Sequence, residues 1–262
     1  MDSQFGEMLR DWRGRRRMSQ LDLGLAADVS TRHIAFLETG RSRPTRGMVI
    51  RLSEALEVPR TARNPLLNAA GFAPAYRARD LNEAEMRHVR MAVDWMLQRH
   101  APYPAMAIDR HWCLVALNAP AGHLLDAIGL GVGDSLLDAF TGSEVVRNAF
   151  ENWPEVARHM QARLRTESAH LGGDAVLEAS ATKLAGEIGS HVSDATTLLP
   201  PIVPARYRAK GLVLSFFSTL AQFGSAEDMA LADLRIELMF PADETTRQAL
   251  VAMAGQDGSA SA

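Results

Sequence analysis

Apolar residues along the opening stretch of the chain recur with helical spacing. Phe5, Leu9 and Trp12 fall at i, i+4 and i+7, one stripe of a helix. Arg13, Arg15, Arg16 and Arg17 follow, where cations suit a helix C-terminus. Ser19 offers an N-cap, with Asp22 three residues on, for a short second helix from Gln20 to Ala27. Its Gly24, Ala26 and Ala27 are small enough to let another helix approach. Asp28 and Val29 make a turn, and Ser30 caps a third helix whose Ile34 and Leu37 point inward. Gly40 is a C-cap candidate and Pro44 stops continuation. A fourth helix, about Arg46 to Glu57, carries Val49, Leu52 and Leu56, and Pro59 ends it. A fifth, about Ala62 to Ala70, brings Leu66 and Leu67 and closes at Gly71.

From Phe72 to Asn82 prolines and charge replace the periodicity, so a boundary is expected there, with domains over 1–76 and 77–262. A helix from Glu83 to Arg99 follows, with Met86, Val89, Val93, Met96 and Leu97 on its apolar stripe. The pattern then shortens. Two apolar runs around Asp109-Arg110-His111 predict a hairpin, and Asn118 caps a helix to about Ala127. Gly129, Gly131 and Gly133 lack the spacing and context of a dinucleotide-binding turn and predict a loop. Residues 144–186 read as helical, with Phe150, Trp153, Val156 and Met160 toward a core. Strands are expected at Ile202–Arg208, Leu212–Gln222 and Leu234–Phe240, and a last helix at Asp243–Ala254. This order predicts an all-α five-helix unit, then a PAS-like α+β unit. The second is expected to hold a five-stranded antiparallel sheet, helices over one face, and an apolar pocket between them.

Charge separates the two units. Residues 1–79 hold 14 Lys and Arg against 8 Asp and Glu, a net of +6; residues 80–262 hold 14 against 23, a net of −9. Only the first segment is therefore expected to meet a polyanion. Cys113 is the single cysteine, which excludes an intrachain disulfide and fits a reducing cytoplasm. No uninterrupted apolar run approaches the ~18 residues of a membrane span. The polar start predicts no secretory signal.

A second helix joined by a short turn to a third is the helix-turn-helix arrangement, in which the start of the third helix meets base edges in the major groove. With Ile34 and Leu37 assigned to the core, Ser30, Thr31, Arg32, Phe36 and Thr39 fall on or near the outer faces. Arg32 suits bidentate bonding to guanine, Thr31 a base or phosphate, and Phe36 a thymine methyl or an apolar patch elsewhere. Gln20 is placed to brace a phosphate or an adenine. Arg41, Arg43 and Arg46 would hold the backbone, which positions without specifying. The competing possibility is a helical bundle for protein contacts with solvated arginines.

SQLDLGLAADVSTRHIAFLETGRSRP resembles the lambda-repressor-like, XRE-type DNA-binding domain, and RGMVIRLSEALEVPRTARNPLLNAAGFAPAY resembles the continuation found in its MmyB-like branch. The resemblance spans about residues 3–76. It implies duplex DNA as partner, with Gln20, Thr31, Arg32, Phe36 and Thr39 facing it. Gly24 stands where Ala is usual, which should loosen the second helix by up to about 1 kcal/mol. Asp28 stands where Gly is usual; Asp tolerates the left-handed conformation less well.

PYPAMAIDRHWCLVALNAPAGHLL and ENWPEVARHMQARLRTESA resemble the MmyB-like ligand-binding domain, while the close of the chain departs from the commoner ending. That resemblance implies a small acyl or fatty-acid-like ligand. Pocket candidates are Trp112, Leu114, Asn118, Phe150, Trp153, Met160, Phe216 and Phe217, with Arg158, Arg206 or Arg208 receiving a carboxylate at the mouth. Asn118 also suits a plain helix cap. No His, Cys, Asp or Glu grouping has zinc-site spacing, and no triad or nucleophile elbow is legible, so neither a metal, a cofactor nor an enzyme is expected. The expectation is a cytoplasmic, ligand-sensing transcription regulator. It would bind as a homodimer, because one module makes few base contacts, through the Glu83–Arg99 helix or the sheet surface. The alternative is a regulator acting through protein contacts, or binding DNA constitutively, above an empty structural domain.

Overall fold

The computed structural model describes residues 4–76, 83–188, 202–209, 211–223, 231 and 233–260. Much of the expected linker, 77–82, lies outside the described residues. By its described residues the chain divides into two compact units, one holding 4–76 and the other holding those within 83–223 and 233–260.

The first unit is helical: α1 (Gln4–Arg15), α2 (Gln20–Ala27), α3 (Thr31–Glu38), α4 (Arg46–Ala55) and α5 (Arg60–Ala69). The stripes converge as their periodicity requires. Phe5, Leu9, Leu23, Ile34, Leu37, Val49, Leu52, Leu56, Leu66 and Leu67 are all buried in one core. The packing is close enough to exclude a side chain at one crossing. A Cβ on Gly6 would lie 2.5 Å from the Glu38 carbonyl oxygen, so α1 and α3 touch backbone to backbone there.

The second unit opens with a 3₁₀ turn at Ala84–Met86 and α6 (Arg87–Arg99), so the α-helix starts later than the periodicity predicts. The hairpin β1 (Ala105–Ile108) and β2 (Leu114–Leu117) leads into α7 (Ala119–Asp126), α8 (Leu136–Gly142), α9 (Glu144–Ala149), α10 (Trp153–Leu171) and α11 (Ala175–Ile188). Then come β3 (Ala205–Ala209), β4 (Leu212–Gln222), β5 (Arg235–Pro241) and α12 (Glu244–Ala260). β3 begins three residues after the expected start, past Pro204.

The five strands form one sheet in the order β2-β1-β5-β4-β3, every neighbouring pair antiparallel. β5 pairs Ile236 with both Ala107 of β1 and Ala221 of β4. β1 is buried at all four residues, as a strand covered on both faces must be. α6 lies against β1 and β2, and α12 against β4 and β5.

Asn118 ties the start of the unit together. Its Oδ1 accepts from Ala105 and Ala121 N–H, and its Nδ2 donates to the Leu97 and Tyr103 carbonyls. One buried amide thus caps α7 and pins α6 to the hairpin.

Candidate nucleic-acid interface and ligand cavity

Local capping sets α2 and α3. Ser19 Oγ accepts from Asp22 N–H at 3.1 Å while Asp22 returns the bond to Ser19 N–H at 2.8 Å. Asp28 closes α2 in the left-handed conformation (φ 52°, ψ 51°). Val29 N–H then donates to the Gly24 carbonyl at 2.8 Å. A Cβ on Gly24 would sit 2.6 Å from the Val29 carbonyl oxygen. A side chain at that position would force the turn to shift, so glycine's lower helix propensity comes with a close approach that its missing Cβ allows. Ser30 caps α3 by accepting from His33 N–H.

α3 buries Ile34, Leu37 and Glu38 and turns Arg32 and Phe36 outward. The Arg32 guanidinium lies over the Phe36 ring, 5.2 Å from its centroid. Phe36 is thereby a platform that orients Arg32. Thr31 stands half-buried in the first turn, and Thr39 donates its hydroxyl to the Ala35 carbonyl at 2.8 Å. Arg41 and Arg43 in the following loop, and Arg46 opening α4, are exposed.

Gln20, half-buried at the start of α2, is engaged within the unit. Its Nε2 donates to Glu38 Oε2 at 2.8 Å. Glu38, 1% exposed, also takes both prongs of Arg13, Nε at 2.6 Å and Nη2 at 3.0 Å, with Arg10 at 3.8 Å. Burial favours the neutral acid. The hydrogen bonds from Arg13 and Gln20 and the Arg13 and Arg10 charges outweigh it and hold the carboxyl below its ordinary range. This clamp fixes α3 against α1 and α2. Sequence reasoning missed it, although Ile34, Leu37 and Glu38 share one helical stripe.

The second unit holds a partly open cavity of about 360 Å³ between the sheet and α7–α10. Trp112, Phe150, Met160, Phe216 and Phe217 line it together with Tyr207 and Met239. Tyr207 is fixed by its hydroxyl, which donates to the Leu124 carbonyl at 2.7 Å. Burial raises its pKa. Trp112 sits in the hairpin turn with φ 62°, a strained conformation for so bulky a residue. Asp109 sustains it, accepting from His111 and Cys113 N–H at 2.8 and 2.9 Å.

Four expected pocket residues lie outside the lining. Leu114 is buried in the adjoining core. Asn118 is consumed by the four bonds above. Trp153 stands behind the wall, stacked on Phe140 at 5.9 Å. Arg206 alternates with cavity-lining Tyr207 along β3, so it faces away, and it pairs with Glu151 at 3.4 Å. Arg158 and Arg208 do not line the cavity either.

The arginine that does is Arg163, from α10. Its Nε donates to Glu167 at 3.0 Å, Nη1 and Nη2 to Glu237 Oε2 at 3.4 Å, and its plane covers the Trp112 ring at 4.1 Å. Trp112 Nε1 donates to Glu167 at 3.0 Å, and Arg235 pairs with the same carboxylate. Ser218 Oγ donates to the other Glu237 oxygen at 2.7 Å. His159 stands at the rim, open to solvent on one side. Desolvation on the other side and the Arg163 charge lower its pKa, with Glu237 opposing them.

Among the described residues no helix is long and apolar enough to cross a membrane. A search of curated proteins finds no match. Residues 4–66 match the model of a helix-turn-helix domain. Residues 89–253, well over half the chain, match the model of the MmyB-like transcription regulator ligand binding domain. A capped, outward-facing third helix and an apolar cavity are the parts such a pairing needs, and the chain belongs to the MmyB-like transcription regulators, with a helix-turn-helix domain followed by a ligand-binding domain.

Proposed function

We propose that residues 1–76 form a sequence-specific duplex-DNA reader and residues 77–262 a PAS-like sensor of a small apolar or acyl ligand. The protein acts as a homodimer on a two-fold site. The observation that carries DNA reading is the Arg32–Phe36 pair on the exposed face of α3, between a capped turn and three exposed arginines. Stacking on Phe36 limits the rotamers open to Arg32, so less entropy is lost when the guanidinium bonds a guanine edge. Thr31 adds a hydroxyl beside it, Ser30 and Thr39 bound the face, and Arg41, Arg43 and Arg46 hold phosphates. The apolar lining of the cavity supports an apolar ligand. Ligand binding regulates only if it favours one dimer geometry over another.

The test is selection of bound duplexes from a random pool, followed by anisotropy titrations at several salt concentrations. Affinity should fall steeply with salt. Arg32→Ala should weaken the selected site by about 1–3 kcal/mol and flatten base preference at one or two positions. Equal affinity for all duplexes would refute sequence-specific reading.

A further inference from the structure

We propose that the cavity selects a neutral amphiphile, an aliphatic chain ending in an amide, ester or hydroxyl, and excludes the corresponding free carboxylate. The inference rests on the apolar-ligand proposal above and concerns the polar end of that same cavity.

That end is defined by Arg163, Glu237, Ser218, Thr219 and His159, all on the lining. Among the described residues Arg163 is the only Lys or Arg there. It is already held by two carboxylates, Glu167 at 3.0 Å and Glu237 at 3.4 Å. With Arg235 on Glu167, the group contains two guanidiniums and two carboxylates and is balanced in charge. An entering carboxylate would meet no unmatched cation. It would also stand beside Glu237, whose oxygens Ser218 and Arg163 hold in place. Like charges repel more strongly in such a partly desolvated site than in water, and the ligand's own charge must be stripped of water to enter. His159 adds no compensating charge near neutral pH, since its pKa is lowered.

An uncharged head has the opposite fit. A hydroxyl or amide N–H can donate to Glu237, and a carbonyl or hydroxyl oxygen can accept from the His159 ring. The exposed Ser218 hydroxyl, bonded to Glu237, marks where the chain's head would stop while its tail lies among Phe216, Tyr207 and Met239.

The experiment uses the full chain, stripped of co-purifying lipid, near neutral pH. Calorimetric titrations compare octanamide and 1-octanol with octanoate, and the decyl series in the same way. The neutral ligands should bind at least about tenfold more tightly than the carboxylate of equal length. Glu237→Gln should tighten octanoate by about tenfold, because it leaves Arg163 partly uncompensated. Octanoate binding as well as octanamide to the unaltered chain overturns the inference while leaving the apolar-ligand proposal standing, and that comparison needs no variant. An unchanged preference in folded Glu237→Gln also overturns it. If no member of either series binds, the apolar-ligand proposal falls and this inference with it.

Discussion

Glu38→Ala is expected to loosen α3 without touching its outward face, where Arg32 and Phe36 lie. Glu38 is 1% exposed and receives both prongs of Arg13, itself 17% exposed, plus the Gln20 amide. Removing one partner of a buried ion pair typically destabilises by about 3–5 kcal/mol, because the other charge stays desolvated. Arg13 keeps one bond, from Nη1 to the Met18 carbonyl at 2.9 Å, which argues for the lower end, about 3 kcal/mol. Against a typical domain stability of about 5–15 kcal/mol that is a large share. Hydrogen exchange read on peptides covering α1 and α3 isolates the opening of this unit, and exchange there should quicken by about a hundredfold. Glu38→Gln keeps an acceptor for Gln20 and Arg13 but not the charge, so it should lose about 1–2 kcal/mol. Acid gives an independent reading. Folded Glu38 lies below its ordinary value of 4.5, so its stabilisation is whole above that pH and is lost as pH falls through the lower folded value. Glu38→Gln should remove that part of the acid dependence. Exchange in Glu38→Ala within about 0.5 kcal/mol of the unaltered chain would refute the clamp.

Gly24→Ala should destabilise despite a helix-propensity gain of up to about 1 kcal/mol, because the new Cβ meets the Val29 carbonyl oxygen at 2.6 Å. A net loss of about 1–2 kcal/mol in urea unfolding is expected, and a variant more stable than its parent would exclude the close contact. Asn118→Ala removes an N-cap, takes the side-chain bonds from the Ala105 N–H and the Tyr103 carbonyl, and leaves the Leu97 carbonyl with His100 N–H, so the second unit should lose about 3 kcal/mol. Thermal unfolding followed by near-ultraviolet circular dichroism measures it, and a change too small to move the midpoint would show that the four bonds are replaceable.

The parts legible in advance were those governed by neighbours along the chain. Ser19, Ser30 and Asn118 act on backbone three residues away, and all three caps stand where polarity and periodicity place them. The five opening helices follow from spacing alone. What stayed hidden depends on long separations. Nothing local says that β5 enters between β1 and β4, or that Arg163 will lie on Trp112 and face Glu237. Alternation separated useful from useless aromatic and basic candidates. Tyr207 lines the cavity while its neighbours Arg206 and Arg208 do not, and that distinction requires knowing which face of β3 is inward. The Gln20 bond stayed hidden for a related reason, since its partner Glu38 comes from the far end of the next helix.

The position of β5 also sets the order in which the molecule can be completed during synthesis. The helical unit has its described core between Phe5 and Tyr76, so all of those residues leave the ribosome early. The sheet instead waits for Arg235–Pro241, which must slot between two strands made long before. Until then β1 and β4 each present an unpaired edge. A nascent chain therefore holds a finished DNA-binding half while its sensing half is still open, and a product that stops short of Arg235 would keep the first and lack the cavity wall that Glu237 and Met239 supply.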